Sequence, residues 1–236
     1  MNALIFTMIM FLVIIFHELG HYLVGKYCKI KIDEFSAGIG FTIFKKKINN
    51  TLFCLRVLPI GGYVKRDVDD YNKLSLLKKC IFILGGVSVN ILLIIITMSL
   101  FHKEGFIAGF LYSFKFMYLG VHYLFTNISL LDIIKDTSID KQYVGYKYII
   151  TSESFTNYKI IINCFIRMNL VVAIFNLLPI PILDGGRILV EIVKCILNKL
   201  KVSKNIIDNA EIFSYVVSAI ILFILPNVYA LYKYMF

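Results

Sequence analysis

The sequence predicts an all-α polytopic membrane protein with four transmembrane helices, a small membrane-associated β-sheet or hairpin region after the first, and an interfacial helix between the second and third. Three observations support this prediction. Of the 236 residues, 59% are hydrophobic and 17% are charged, whereas about a quarter of the residues of ordinary soluble domains are charged. Four windows stay apolar over the roughly 20 residues that a bilayer-spanning helix needs. The net charge of +10 lies mainly between these windows, which indicates membrane topology and argues against a basic nucleic-acid-binding module.

The four spans are placed at residues 1–25, 80–101, 160–183 and 212–232. The first opens with sixteen uncharged residues, and because no small-residue cleavage site follows, we expect a retained span rather than a signal peptide. The second is the least interrupted by charge, the third carries Arg167 near its start, and Pro226 is expected to kink the fourth. We treat residues 1–236 as a single membrane-embedded domain.

The distribution of lysine and arginine predicts the orientation of the spans. The first and third connections carry twelve and five of these residues and the second carries six, so the positive-inside rule places the first and third connections in the cytoplasm and both termini outside. Residues 106–131 are long enough to cross, but they are rich in aromatic residues and include Lys115 and His122. We therefore assign this stretch to an interfacial helix on the outer side.

Three ionisable residues within the first span carry the strongest chemical signal. His17, Glu18 and His21 form HELGH, and a helix brings positions i and i+4 to one face, where two imidazoles can bind one zinc ion. In HExxH sites the glutamate accepts a proton from the attacking water rather than binding the metal. The alternative is that the histidines are satisfied core residues and that Glu18 pairs helices, but ionisable groups inside a bilayer are functional by default.

A third ligand is expected at the end of the third span. Pro179 and Pro181 interrupt its helix, and irregular backbone at membrane depth is tolerated where it lines a cavity or is packed in protein. Asp184 follows this break; taken alone, it also fits an ordinary Asp-Gly turn. The predicted topology brings Asp184 and HELGH to the same cytoplasmic side, whereas a crossing of residues 106–131 would separate them.

These motifs together resemble a known family. HELGH in the first span and NLLPIPILDGG at residues 176–186 are similar to the site-2 protease family of intramembrane zinc metalloproteases, specifically its bacterial RseP-type group. LPIGGYVK at residues 58–65 resembles a cytoplasmic loop of that group, and GGVSVN at residues 85–90 resembles its GPxxN motif. The resemblance extends over most of the chain.

The resemblance implies one Zn²⁺ per chain, held by His17, His21 and Asp184, with Glu18 as the catalytic general base. It further implies that Asn176 and Asn90 contact the substrate or the developing oxyanion. An alternative for Asn176 is a packing contact between spans. Pro179, Pro181 and Gly185 would shape the site.

Residues 34–66 alternate β-prone runs with turn residues, which predicts a small sheet on the cytoplasmic side. An exposed edge containing Gly61, Gly62 and Tyr63 could bind an unwound substrate as an added strand; a hairpin that only caps the spans is the alternative. The family's β region after its first span favours strand addition.

Two features depart from the family pattern. Gly86 stands where the pattern has proline, so the sequence does not decide whether the second span is kinked. RseP-type proteases usually carry PDZ domains between the second and third spans, but only about sixty residues separate these spans here, near the lower limit for an independent domain. We therefore expect no PDZ domain.

The leading functional hypothesis is an intramembrane zinc endopeptidase in the bacterial inner membrane, with its active site toward the cytoplasm. The resemblance implies that its partners are single-pass membrane substrates, such as anti-sigma factors or remnant signal peptides, and the lipid bilayer; we expect no nucleic acid. A non-catalytic protein that binds or transports metal through the same His, His and Asp cluster is the alternative. A purely structural helix bundle would hold no metal.

Overall fold

The computed structural model describes residues 2–126 and 158–220. This part of the chain is mostly helical, with one small sheet between the first and second helices. The helices are α1 (Asn2–Tyr27), α2 (Val68–Asn72), α3 (Leu76–Ile83), α4 (Gly85–Phe101), α5 (Phe106–Thr126), α6 (Tyr158–Leu177), α7 (Asp184–Lys199) and α8 (Lys204–Ala219), and the strands are β1 (Ile32–Ile48) and β2 (Thr51–Arg66).

Two of these helices are long and apolar enough to cross a membrane. They are Leu4–Tyr27 within α1 and Tyr158–Leu177, which is α6; they correspond to the first and third predicted spans. The second predicted span corresponds to α3 and α4, which make a third candidate if the bent pair is one span. Of the fourth predicted span, residues 212–219 lie in α8 and residues 221–232 lie outside the described part.

The second predicted span is bent rather than straight. α3 and α4 meet at Leu84 with an angle of 47°, although this position is followed by Gly85 and Gly86 rather than by proline. Glycine is the poorest helix former apart from proline, so a glycine pair allows such a break. A β-carbon on Gly85 would lie 2.8 Å from the Gly20 carbonyl oxygen, so the pair also allows α1 and α4 to approach closely.

The helix of the third predicted span ends before residue 183. α6 stops at Leu177 and α7 begins at Asp184, with a short turn between them. Pro179 and Pro181 account for the difference, because proline removes a backbone donor and disfavours helical geometry at the preceding residue. The predicted break is therefore present, and it lies inside the span rather than at its end.

The core of the bundle is formed by α1, α4 and α6. Ile9 and Val13 of α1 pack with Cys164 and Val172 of α6, forming one cluster of buried residues. Ile94 of α4 packs with residues of α6 and α5 in a second cluster. The two clusters pack the three helices against one another. This packing brings His17 of α1 into contact with Asn90 of α4, and Asn90 into contact with Asn169 of α6.

The stretch predicted as an interfacial helix is α5 as far as Thr126; residues 127–131 lie outside the described part. α5 packs against α4 at Gly109, where a β-carbon would collide with the Met98 carbonyl oxygen, and against α6 at Gly120, which faces Leu170. Its position at the membrane interface stays a prediction.

The predicted sheet after the first span is confirmed as a long hairpin of β1 and β2. The strands pair antiparallel around a turn at Asn49 and Asn50, both with positive φ, as a two-residue hairpin turn requires. The first half of β1 also has partners at residues 52–55, so the hairpin folds back on itself. Gly38, with φ of +89°, permits this bend, since a β-carbon there would meet the Leu58 carbonyl oxygen at 2.7 Å.

Candidate metal centre

Two helices, α1 and α7, bring the three predicted ligands together. His17 and His21 lie one turn apart on α1 with their Nε2 atoms 3.2 Å apart. Asp184, the first residue of α7, places Oδ2 3.1 Å from His17 Nε2 and 3.3 Å from His21 Nε2. All three residues are buried. The geometry thus joins groups that are 167 positions apart in the sequence.

The outer nitrogen of each histidine is held by an oxygen atom. His17 Nδ1 lies 2.7 Å from the side-chain oxygen of Asn90, and His21 Nδ1 lies 3.1 Å from the backbone oxygen of Phe82. Because both oxygens are acceptors, each Nδ1 donates its hydrogen, and each neutral imidazole keeps a lone pair on Nε2. Such bonds typically fix the tautomer and orientation of metal-binding histidines.

This arrangement makes three electron-pair donors converge. The Nε2 atoms of His17 and His21 and a carboxylate oxygen of Asp184 lie within 4.8 Å of one another. With neutral imidazoles, no hydrogen lies between these atoms, and a bound cation would relieve the repulsion between their lone pairs. Two imidazoles and one carboxylate, with a further position open to water or substrate, match the donor set of catalytic zinc.

Gly86 at the start of α4 keeps this space open. A β-carbon at this position would lie 2.5 Å from His17 Nε2 and 2.6 Å from His21 Nε2. Glycine thus allows the backbone of α4 to pass directly beside the ligand atoms.

Glu18 faces a cavity of about 700 Å³ that also reaches the ligands. It is half-buried and is not among the converging donors. Gly62 of β2 lies against it, since a β-carbon on Gly62 would be 3.0 Å from Glu18 Cγ. Gly61 and Tyr63 line the same cavity. The predicted substrate edge of the sheet therefore lies beside the predicted general base.

Asn176 and the proline turn form another part of the wall. Asn176 lines the cavity and donates a hydrogen bond of 2.9 Å from its amide to the Val172 carbonyl of its own helix. This hydrogen bond lies within one helix, so it is not the packing contact between two spans that was the alternative for Asn176. The turn at Pro179 and Pro181 leads directly to Asp184. Gly185 lies so close to the Leu177 carbonyl oxygen that a β-carbon would overlap it.

Asn90, which was expected to contact the substrate, is not among the residues that line the cavity. It is fully buried, accepts a hydrogen bond from His17, and donates one of 2.9 Å to the side-chain oxygen of Asn169. Asn169 in turn donates to the Phe165 carbonyl oxygen at 2.8 Å. Asn90 therefore orients His17 in this structure, and its predicted contact with substrate stays a prediction.

Sequence reasoning missed Asn169 and a set of polar residues that line the same cavity as the predicted ligands. Asn169 offered a usable signal, because a polar residue within an apolar span usually faces a polar partner. The wall residues gave no comparable signal, since they come from separate elements: Arg66, Tyr71, Arg187, Glu191, Glu211 and Tyr215.

A sequence comparison agrees with this geometry. The model of peptidase family M50 matches residues 5–225. This chain belongs to peptidase family M50. The match includes α1, with both histidines, and the start of α7, with Asp184. Both halves of the candidate centre therefore fall within the M50 region.

Curated relatives carry names consistent with M50 membership. A Campylobacter jejuni protein named "Putative zinc metalloprotease" is 36% identical over 93 residues, which are 34% of this chain and 25% of that protein. A Clostridium perfringens protein with the same descriptive name is 34% identical over 113 residues, covering 44% of this chain and 34% of that protein. A Thermotoga maritima protein of that name is 50% identical over 60 residues. The matched stretches thus span about a third or less of these relatives.

Proposed function

We propose that this chain is an intramembrane zinc endopeptidase that hydrolyses peptide bonds in the transmembrane segments of single-pass membrane proteins. The observation that carries the proposal is the convergence of three buried electron-pair donors beside Glu18 in a cavity. Such a cluster within apolar helices is suited to a reaction that needs both a metal and a proton acceptor. Membership of M50 and the names of the relatives support the same function.

His17, His21 and Asp184 would hold one zinc ion per chain. The donor set, the bonds that orient both imidazoles and the space left by Gly86 fit that ion. When bound, zinc would supply a Lewis acid that polarises the scissile carbonyl and activates water.

Glu18 would move the proton in this reaction. Its carboxylate is free of the ligand cluster and faces the cavity, so it can accept a proton from the attacking water. It then donates this proton to the nitrogen of the leaving amine, which completes hydrolysis without a second titratable group. Asn176 would donate a hydrogen bond to the oxygen on which negative charge develops.

The sheet would hold the substrate in an extended form. A transmembrane helix hides its amides in internal hydrogen bonds, so it must unwind before it can be cut. The stretch of β2 at Gly61, Gly62 and Tyr63 lies in the cavity wall, next to Glu18. Pairing with this stretch would present the scissile amide to the centre.

We further propose a location in the bacterial inner membrane, with both termini outside and the centre toward the cytoplasm. The lysine and arginine distribution supports this orientation. Anti-sigma factors and remnant signal peptides are the substrate classes suggested by the family resemblance. A soluble protease could not reach bonds inside the bilayer, and a centre on apolar helices can.

The first experiment measures zinc per chain in purified, detergent-solubilised protein. We expect one zinc in the wild type and weakened or lost binding in both His17→Ala and Asp184→Ala. His102→Ala and Asp69→Ala are matched controls, because both residues lie away from the cluster, and these variants should keep their zinc. A wild type without zinc after supplementation would remove the basis of the proposal.

The second experiment separates catalysis from metal binding. Glu18→Gln should retain zinc and lose cleavage of a membrane-embedded model substrate, because the amide cannot accept the proton. Proteolysis that survives this change would refute the assigned mechanism. A wild type that binds zinc but cuts none of a broad substrate panel would favour the non-catalytic metal-binding alternative.

A further inference from the structure

The cavity that reaches the candidate metal centre also has a polar wall. This wall consists of charged and phenolic side chains from β2, α2, α7 and α8: Arg66, Tyr71, Arg187, Glu191, Glu211 and Tyr215. The proposed hydrolysis uses none of them. These polar side chains are therefore available for a role other than the hydrolysis itself.

Both acidic groups of this wall already have cationic partners. Glu191 pairs with Lys79 at 2.9 Å and with Lys194 at 3.8 Å. Glu211 pairs with Lys194 at 2.8 Å and accepts a hydrogen bond from the Tyr215 hydroxyl at 3.3 Å. These carboxylates are therefore neutralised within the fold and leave little attraction for an incoming cation.

Arg66 differs from these two carboxylates because its described neighbours are aromatic rings rather than a group of opposite charge. Its guanidinium lies 3.8 Å from the centre of the Tyr71 ring and 5.3 Å from that of Phe82. Among the residues that the structure describes, no carboxylate lies within 4.0 Å of it and no side-chain hydrogen bond involves it. Contact with the ring faces holds the guanidinium in place and leaves its five N–H donors available. This planar fork is suited to a carboxylate.

Arg187 adds positive charge on the same side of the cavity. It lies 3.7 Å from the outer oxygen of Asp184, and 44% of its side chain is exposed. Burial lowers the pKa of Arg66, and although Tyr71 opposes this effect, the positive charge of Arg187 lowers the pKa further. A bound anion would relieve this repulsion between like charges.

The sheet sets the distance between this wall and the centre. Gly62 of β2 lies against Glu18, and Arg66 follows four residues later on the same strand. A strand rises about 3.3 Å per residue, so the two positions are about 13 Å apart along it. In the described residues, this part of β2 pairs only with β1, on one side. A substrate strand along the other side would reach Arg66 about four residues from the bond beside Glu18.

We propose that Arg66, assisted by Arg187, forms a specificity subsite for an aspartate or glutamate side chain of the substrate, about four residues from the scissile bond. The carboxylate binds the guanidinium fork on the stacked face of Tyr71. This subsite rests on the proposed function, because it assumes that a substrate strand lies along β2. It selects substrates with an acidic residue where the transmembrane segment meets the cytoplasm.

The test is a binding scan with a catalytically inactive protein. Fluorescent single-span model peptides carry one Asp, moved residue by residue through one half of the span and its flank, with Asn peptides as neutral partners. The dissociation constant of each is measured with the Glu18→Gln protein in detergent. We expect one preferred position, where Asp binds about tenfold more tightly than Asn, as for one charge-assisted hydrogen-bonded pair.

Variants of Arg66 then identify the group responsible. In the Glu18→Gln background, Arg66→Gln should bring the ratio of Asp to Asn affinity close to one, and Arg66→Glu should make Lys the preferred residue at that position. A reversal of charge preference cannot result from misfolding. Lys65→Gln is the matched control, since Lys65 is exposed, does not line the cavity, and should leave the ratio unchanged.

Two outcomes would overturn the subsite. One is an Asp preference that survives Arg66→Gln, and the other is an equal preference at every position, which indicates general charge attraction. Zinc content and cleavage of the Asn peptides by the wild type are measured in parallel. Cleavage without an Asp preference refutes the subsite and keeps the protease, whereas an Arg66-dependent preference without any cleavage refutes the protease and shows that Arg66 binds carboxylates in a protein that does not cut them.

Discussion

His17 depends on a chain of side-chain contacts from three helices. Its Nδ1 donates to Asn90 of α4, which donates to Asn169 of α6, which donates to a backbone carbonyl. Both asparagines are fully buried, so every amide atom that lost its partner would remain without water as a substitute. The orientation of one ligand is thus determined by residues that do not touch the metal position.

Replacing Asn90 should therefore weaken metal binding without removing a ligand. We expect Asn90→Ala to lower zinc affinity by about 10–100-fold, as is typical when an orienting partner of a ligand is lost. Competition with a chelator measures the affinity. Asn169→Ala should cause a smaller loss, because it leaves the bond between Asn90 and His17 in place. Equal zinc affinity in wild type and Asn90→Ala would contradict this role.

At the residue scale, the sequence predicts groups with strong chemical signatures better than groups that act through them. The convergence of His17, His21 and Asp184 could be anticipated because ionisable residues in apolar spans and proline breaks are recognisable in the sequence itself. The contact between Asn90 and His17 could not be predicted, because it depends on how α1, α4 and α6 pack. Arg66 gave no signal, since an arginine at the end of a strand is ordinary without the cavity beside it.

At the scale of elements, the hairpin of β1 and β2 is held by a charged cluster on one face. Arg56 bonds Glu34 at 2.7 Å and Tyr63 at 2.8 Å, and the Tyr63 hydroxyl bonds Glu34 at 2.8 Å. Burial alone would raise the pKa of Glu34, but the bonds from Arg56 and Tyr63 outweigh burial and hold it below its ordinary value of 4.5. Glu34 and Tyr63 connect the first half of β1 to the part of β2 beside the centre.

This cluster predicts a pH dependence of stability. Because the pKa of Glu34 is lower in the folded state, its contribution is fully present above about pH 4.5 and is lost as the pH falls through the lowered value. Melting in detergent between about pH 6 and 3 should show a smaller acid-induced fall in Tm for Glu34→Gln than for wild type. Asp33→Asn, which affects a more exposed pair with Lys31, should melt like the wild type. Identical pH profiles for Glu34→Gln and wild type would contradict this.

A buried ion pair connects α3 to α7. Lys79 and Glu191 are 2.9 Å apart, with side chains that are 14% and 8% exposed. Lys79→Met should destabilise the protein by about 2 kcal/mol, because it removes the nearest cation from the buried carboxylate of Glu191 and leaves the longer ion pair with Lys194. Thermal unfolding measures the effect. Lys73→Met removes an exposed pair and should change stability by less than about 0.5 kcal/mol.

The double variant tests whether pairing explains this loss. Lys79→Met combined with Glu191→Met removes both charges, so it should cost less than the two single changes added together. Additive losses would show that the side chains act independently. The cycle thus separates the stabilisation that comes from the ion pair from the stabilisation that comes from packing of the Lys79 and Glu191 side chains.

The elements themselves were predictable to different degrees. Apolar length gave α1 and α6, and alternating β-prone runs with the Asn49 and Asn50 turn gave the hairpin. The bend at Leu84 was left open because it depends on the approach of Gly20 to Gly85, which is a tertiary contact. The early end of α6 follows from Pro179 and Pro181, whose local geometry outweighs the apolar character of residues 178–183.

At the scale of the whole molecule, the proposed orientation makes a prediction about surface access. In a cysteine-free background, Lys46→Cys in the hairpin should react with a membrane-impermeant thiol reagent only in inside-out vesicles. Lys103→Cys, between α4 and α5, should react only in right-side-out vesicles. Permeabilised vesicles, in which both sites should react, provide the control. Reaction of both cysteines from the same side would contradict the proposed topology.

The distance along the chain between the two halves of the centre has a consequence during biosynthesis. His17 and Asp184 are 167 positions apart, so α1 enters the membrane long before the ribosome has made its partner. At about 5–20 residues per second, the interval is on the order of ten seconds or more. During that time the nascent chain has two histidines but no complete set of ligands. A growing chain therefore lacks the complete candidate centre until Asp184 has been synthesised, so the proposed cleavage of neighbouring proteins at the translocon cannot begin before then.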